Sequence, residues 1–409
     1  MASPFITKST NSNHILPQVY LNKSITSGQS RDWFRGDKAL WIVFFLLTAI
    51  SLVAVYSSIG RSAIEDDGTT PIRAFLKHFL FVVFTYGIVI GVSRLDYRIF
   101  SRLSQILLWI SVGLLVFVLA THGQRWIVIP KVGQFQPSEL AKVSLIIYVA
   151  RLLAFREESA GTLETFMRVL LPVGVVSLLV FKENFSTAAL IFLSCYFTML
   201  FGGVNKKYWW RLFLVLVAAV CIALFVWATS DTAPEVGRSD TWGARVARWW
   251  DNDHSRLTQE NMARMAIARG KVIGVGIGNT VFARLMTQAN NDFIYAIIIE
   301  ETGMVGGIAI LLLYSIFFFR CIKVAFRCSK PFGMLTAVGM GTVIYLQALV
   351  NMSVAVGVLP VTGQTLPFIS SGGTAYLALG LGVGVVQAVA ADAQRNKTIQ
   401  ETSREETTQ

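Results

Sequence analysis

Residues 39–58 read ALWIVFFLLTAISLVAVYSS, a run without a single Asp, Glu, Lys or Arg. A helix of about 20 apolar residues crosses the roughly 30 Å hydrocarbon layer of a bilayer. The run follows 38 largely polar residues and has no small-residue cleavage site at its end, so it reads as a retained helix and not as a signal peptide. Nine further apolar runs lie near 75–93, 104–121, 140–155, 167–181, 186–202, 210–229, 293–318, 333–357 and 371–391. The fourth, fifth and sixth are short. An even number of crossings puts both termini on the same side. The expected fold is an all-α integral membrane protein of about ten transmembrane helices.

Composition agrees. Of 409 residues, 54% are apolar and 15% charged, whereas soluble domains carry roughly 25% charged residues. A water-facing surface cannot be built from so few charges, and disorder is excluded except at the polar ends. The expected organisation is a disordered cytoplasmic tail over 1–37, a polytopic domain over 38–391, and a cytoplasmic tail over 392–409. Within the domain, 230–292 forms a long extracytoplasmic loop between the seventh and eighth helices.

Lys and Arg set the orientation. With the N-terminus inside, cytoplasmic segments hold 21 of the 36 Lys and Arg, and the short outer loops hold 5. The net charge of +12 therefore reflects topology and contact with anionic lipids. No basic stripe is concentrated in one soluble domain, which argues against a nucleic-acid partner. Cys195 and Cys221 fall in membrane helices, and Cys321 and Cys328 near a cytoplasmic loop, so disulfides are not expected. The four His are scattered, and no zinc-ligand spacing occurs.

Three outer stretches gather polar groups against apolar expectation. The first is HGQRWIVIPKVGQFQPSELAK, 122–142. Pro137 fits a first helical turn and Glu139 suits the positive end of the dipole, but Lys142 opposes it. Glu139 and Lys142, at i and i+3, share a face. They form either a local ion pair with a snorkelling Lys, or a buried cation that serves an anionic substrate or a catalytic carboxylate. Trp126 beside Arg125 could equally be an interfacial anchor.

The second is the loop 230–292. Residues 244–270 read as amphipathic helix for the membrane surface or for packing on the bundle. In GKVIGVGIGN the glycines suggest turns and close packing; the context of a dinucleotide fingerprint is missing. The loop ends in QANNDFIYAIIIEETGMVGG. Asp292 stands directly before a hydrophobic helix, as an N-cap or as a functional carboxylate. Glu300 and Glu301 fall about two turns further into that helix, where a carboxylate must be paired, protonated or facing a polar cavity. The spacings Gly303–Gly307 and Gly380–Gly384 suit helix packing.

The third is GVLPVTGQTLPFISSGGT, 357–374, uncharged and rich in Pro, Gly and hydroxyls. It suits a re-entrant or cavity-lining segment.

At these residues the sequence resembles the SEDS family (shape, elongation, division and sporulation; the FtsW/RodA type). The likeness runs from about Lys38 to Ala391. It is carried by RWI at 125–127, QPSELAK at 136–142, NDFIYAIIIEETGMVGG at 291–307 and QALVNMSVAVGVLPVTGQTLPFISSGGT at 347–374. The resemblance implies a peptidoglycan glycosyltransferase that polymerises lipid II at the outer face of the cytoplasmic membrane. It puts the catalytic Asp on Asp292 and the functional Glu and Lys on Glu139 and Lys142. Substrate-binding positions fall on Arg125, Trp126, Ser138, Glu300, Pro360, Thr362, Gly363, Pro367, Ser370 and Gly373. It also implies pairing with a class B penicillin-binding protein and other divisome proteins, and location at the septum if the chain is of the division type, which the loop GVLPVTGQTLP and the polar tails favour over the elongation type. One departure stands out. Where the family resembles QPDLGT, this chain has KENFSTA at 182–188, so Asn184 replaces the Asp and Ser186 the Gly; Glu183 could substitute for the lost charge.

The chemistry expected is inverting displacement, with Asp292 as general base for the acceptor hydroxyl. Lys142 is the cation that keeps Asp292 ionised, or a diphosphate clamp. A divalent cation, Mg or Mn, could share that task, although no ligand spacing marks a site. A lipid II flippase and a non-catalytic divisome scaffold are the rival readings.

Overall fold

A computed structural model describes residues 33–58, 71–121, 126–129, 133–156, 161–229, 245, 249–250, 258–287 and 289–408. Its helices are α1 (Lys38–Ser58), α2 (Pro71–Ser93), α3 (Tyr97–Ala120), α4 (Pro137–Phe155), α5 (Leu163–Glu183), α6 (Phe185–Phe201), α7 (Lys206–Thr229), α8 (Gln259–Gly270), α9 (Ile294–Arg327), α10 (Pro331–Ala355) and α11 (Thr374–Thr408). Each of the ten apolar runs contains a helix, and α8 is an addition from the long loop. Among the described residues, seven helices (α1, α2, α3, α5, α9, α10 and α11) are long and apolar enough to cross a membrane. A short antiparallel hairpin, β1 (Ile127–Ile129) and β2 (Gly133–Phe135), precedes α4. It is tied to the start of α11 by Thr374 Oγ1, which donates to Gln134 O at 3.2 Å.

Helix ends follow local chemistry. Pro137 and Pro331 open α4 and α10 at a position whose N–H has no intrahelical partner. Asp96 caps α3. Asn184 caps α6, accepting from Ser186 N at 3.1 Å and Thr187 N at 3.3 Å. Asn and Asp are near-equivalent caps, which gives the departure at 184 a physical account. Inside the bundle, hydroxyls of Ser111, Ser194, Thr198 and Thr336 donate to the carbonyl one turn back, so none is buried without a partner.

Helix α10 is the hub. It packs on α4, α6, α9 and α11. Gly380 and Gly384 of α11 lie directly against Thr85 and Val92 of α2, the close approach their spacing suggested.

Two boundaries differ from the sequence reading. The residues just before α1 are anchored: Asp37 is buried, receives hydrogen bonds from the Arg320 guanidinium and donates its N–H to Gln387 Oε1 at 2.8 Å. Residues 1–32 lie outside the described residues. At the other end, α11 continues through Thr408, where a disordered tail was expected. No Gly or Pro follows Gly384 to stop it, and Lys397 pairs with Glu401 one turn on at 3.4 Å. Cys195, Cys321 and Cys328 are free thiols; burial pushes the Cys328 thiol up, which keeps it protonated.

Helix α9 is not one rod. Gly303 has φ 73° and ψ −173° within it. Tyr295 donates its hydroxyl to Gly307 O at 3.1 Å, although residues twelve apart on a straight helix are about 18 Å distant. Ile299 also packs on Gly307. The half 294–302 therefore folds back on the half that begins at Met304. The backbone groups released by this reversal are taken up by 271–276. Met304 N donates to Lys271 O (3.0 Å), Val305 N to Val272 O (3.3 Å), Val275 N to Glu300 O (3.0 Å) and Gly276 N to Glu301 O (3.0 Å). Gly274 and Gly303 face each other so closely that a Cβ on either would meet backbone atoms at 2.2 Å. Gly270 and Gly274 of GKVIGVGIGN serve this backbone-to-backbone contact. Gly303 is thus a reversal point; its spacing to Gly307 had suggested helix packing.

Candidate active site

Three elements converge on the side of α10 that carries Gln347 and Asn351. From α4 comes Lys142, wholly buried, whose Nζ donates to Glu139 Oε1 at 3.0 Å, Glu139 Oε2 at 2.9 Å and Gln347 Oε1 at 2.6 Å. All three ammonium protons are committed. The ion pair foreseen from the i, i+3 spacing is present, but the Lys does not snorkel. Nor does it offer a proton to a diphosphate in this conformation.

From the loop before α9 comes Asp292, half-buried. Phe293, and not Asp292, is the cap residue of α9. The carbonyl of Asp292 accepts from Asn351 Nδ2 at 2.9 Å. Its neighbours are gripped as well: Ser370 Oγ donates to Asn291 O at 2.5 Å, and Ser371 N to Asn290 O at 2.9 Å.

From 357–374 come the backbone groups that close the site. Gln347 Nε2 donates to Thr365 O at 3.0 Å and Asn351 Nδ2 to Gln364 O at 2.7 Å. Gln364 Nε2 in turn reaches Thr187 Oγ1 at the start of α6 at 2.6 Å. This segment enters the core as its uncharged composition suggested. Pro367 O accepts from the buried Tyr314 hydroxyl. Ile369 O accepts from Ser51 Oγ at 2.7 Å, and Ser51 Oγ accepts from Tyr376 OH at 2.6 Å. With the Ser51 proton so used, His78 Nε2, 2.8 Å away, must be the protonated ring nitrogen. Gly363 and Gly373 both have positive φ, and Pro360 lies at the start of the segment.

Several buried polar atoms here have no hydrogen-bond partner among the described residues: Ser138 Oγ, Thr362 Oγ1, Asn351 Oδ1 and Gln364 Oε1. Burying such an atom unsatisfied costs about 1–3 kcal/mol, so the arrangement suits a place that water or a polar ligand fills. Glu183 is buried beside the α6 cap. Among the described residues, no group of three or more His, Cys, Asp or Glu could hold a metal ion.

Glu300, expected among the substrate-binding residues, has both oxygens occupied by the chain itself. Arg269 Nη1 and Val281 N donate to Oε1 at 2.5 and 3.0 Å, and Thr280 Oγ1 to Oε2 at 2.5 Å. Glu301 receives the Ser57 hydroxyl and Gly278 N. These carboxylates lie about two turns into α9, as their spacing suggested, and Glu301 meets Ser57 at the end of α1. They fasten the long loop. Arg125 lies outside the described residues, and Trp126 is 37% exposed at the start of the hairpin. Gln347 and Asn351 lie within the stretch 347–374, and the sequence reading assigns neither a role. The signal was present: two amides one turn apart inside an apolar run.

The chain matches the FTSW_RODA_SPOVE model, described as "Cell cycle protein", over residues 37–395. A protein of Halorhodospira halophila named "Probable peptidoglycan glycosyltransferase FtsW" is 30% identical, covering 87% of this chain and 90% of its own. One of the same name from Nitrosococcus halophilus is 29% identical over 84% and 90%. Among solved structures, a chain of a peptidoglycan synthase complex that coordinates polymerization and crosslinking aligns with TM-score 0.68 and 25% identity, covering 87% of this chain and 98% of that one. The Thermus thermophilus rod-shape-determining protein RodA shares the fold, with TM-score 0.62 and 22% identity over 88% and 98%. With its multi-pass helical architecture and the motifs gathered on α10, the chain belongs to the FtsW/RodA/SpoVE family of cell cycle proteins.

Proposed function

We propose that this protein is a peptidoglycan glycosyltransferase of the FtsW type, which polymerises lipid II at the outer face of the cytoplasmic membrane during cell division, beside a class B penicillin-binding protein. The observation that carries the reading is the placement of Asp292. Asn351 and the 364–371 segment hold its turn at a polar site, and Asn351 stands one helical turn from Gln347, which holds the Lys142–Glu139 pair.

In the proposed reaction the acceptor GlcNAc 4-hydroxyl attacks the anomeric carbon of a second lipid II, whose C–O bond to the diphosphate breaks with inversion. Asp292 takes the hydroxyl proton, and the departing diphosphate carries the electron pair. A positioned base of this kind contributes roughly 10²–10⁴-fold. Lys142 neutralises Glu139, so Asp292 does not share its site with a second uncompensated carboxylate. With Lys142 saturated, the diphosphate charge falls to other groups, Arg125 among them. The unpartnered oxygens of Ser138, Thr362, Asn351 and Gln364 suit the hydroxyl and amide donors of an amino sugar.

The test is direct. The purified chain, alone and with its cognate transpeptidase, is incubated with labelled lipid II and the products are separated by length. Wild type is expected to form glycan strands and Asp292→Asn to lose them while keeping its thermal unfolding profile. Strand formation by Asp292→Asn at the wild-type rate would remove the base assignment.

A further inference from the structure

The segment 271–285 carries an apolar surface that no element among the described residues covers. Ile273 is 83% exposed, Ile277 64% and Val272 60%; Val281 and Leu285 are exposed beside them. Lys271 and Arg284 stand exposed on the same segment. Thr280 and Ala283 anchor it, with Met286 just beyond, all three buried, and Thr280 holds Glu300. The exposed face is therefore presented by a fixed loop.

Its position relative to the bilayer follows from the reversal at Gly303. The half of α9 from Met304 to Arg327 is about 36 Å long at 1.5 Å per residue, against roughly 30 Å of hydrocarbon. Met304 and Val305 thus lie within a few ångströms of the hydrocarbon boundary, and they are exposed, as is Ile308 one turn on. Lys271 and Val272 accept hydrogen bonds from these same two residues. The exposed apolar face of the segment thus adjoins the exposed apolar side of α9 at its Met304 end, with Lys271 at that junction. Interfacial elements show this pairing of a branched apolar face with flanking Lys and Arg.

The geometry points to a membrane lip: residues 272–285 insert Val272, Ile273 and Ile277 among the acyl chains of the leaflet on the Asp292 side, with Lys271 and Arg284 at the headgroups. The lip is independent of the catalytic reading. It also bears mechanically on α9, because the same backbone bonds hold the reversal that carries the short half of that helix back toward Asp292.

The test uses the full chain in phospholipid nanodiscs, with Cys221→Ser and Cys328→Ser to limit labelling; Cys195 and Cys321 are buried. Nitroxides are placed by Ile273→Cys and Ile277→Cys, with Ile308→Cys as the hydrocarbon reference and Glu401→Cys as the aqueous one. All four side chains are largely exposed, so folding is preserved. Collision with oxygen is expected to exceed collision with a water-soluble nickel complex severalfold at 273 and 277, as at 308, and the reverse at 401. Nickel accessibility at 273 and 277 equal to that at 401 would overturn the proposal. So would aqueous exposure in the chain alone that turns to shielding from both reagents on adding the transpeptidase, because the face would then be a protein-docking surface.

Discussion

Lys142 and Asp292 are held by two amides one helical turn apart on the same face of α10. Gln347 accepts from the Lys142 ammonium at 2.6 Å, and Asn351 donates to the Asp292 carbonyl at 2.9 Å. Both amides also grip the backbone of 364–365. The site's cation and its carboxylate-bearing turn are thus fixed relative to each other through one rigid element.

Removing Lys142 alone should be a fold defect first. Lys142→Met leaves Glu139 buried and uncompensated, an expected loss of about 3–5 kcal/mol. Glu139→Gln combined with Lys142→Met should recover most of it. Thermal unfolding of the three variants in detergent checks this, and the activity of the folded double variant then measures what the charge pair contributes beyond folding.

Asn351→Leu strips donors from two carbonyls, Asp292 O and Gln364 O. About 1–3 kcal/mol of stability should be lost per orphaned group. The catalytic signature should be a fall in kcat larger than the change in KM, because a displacement near 1 Å of a reacting group can cost about 10²-fold. A rise in KM with unchanged kcat would assign Asn351 to substrate binding.

Ser138→Ala and Thr362→Val remove hydroxyls that have no hydrogen-bond partner among the described residues. The expected outcome is unchanged or slightly raised thermal stability, with gains up to about 1 kcal/mol, together with a higher KM for lipid II. Steady-state kinetics beside melting curves separates this from a structural role, in which stability would fall and KM would stay.

Gly303→Ala should be far more damaging than Gly307→Ala. At 303 the new Cβ meets Val272 O at 2.2 Å in a left-handed conformation; at 307 it meets the flexible Ile299 side chain at 2.9 Å. Gly303→Ala is expected to lower the melting temperature markedly, with loss of strand synthesis. Melting temperatures of the two variants, measured side by side, decide it.

The sequence alone determined where the apolar helices lie. Hydropathy is a sum over neighbouring residues, and a run such as 39–58 has no other stable place. It also determined local chemistry: Pro137 as a first-turn residue, Glu139 and Lys142 as neighbours, and the charge-free stretch 357–374 as more than a hairpin. Caps were less legible, since the one expected to matter at 292 lies on Phe293. Only the tertiary structure decided what the polar residues do. Lys142 is saturated because Gln347, 205 positions away, supplies its third acceptor. Glu300 fastens a loop because Arg269 and Thr280 reach it once α9 has turned back at Gly303. Periodicity assumes that a helix continues. A single glycine can break it only when a second segment, here 271–276, takes up the backbone hydrogen bonds that the break exposes, and that pairing is a contact between distant parts of the chain which no local pattern records.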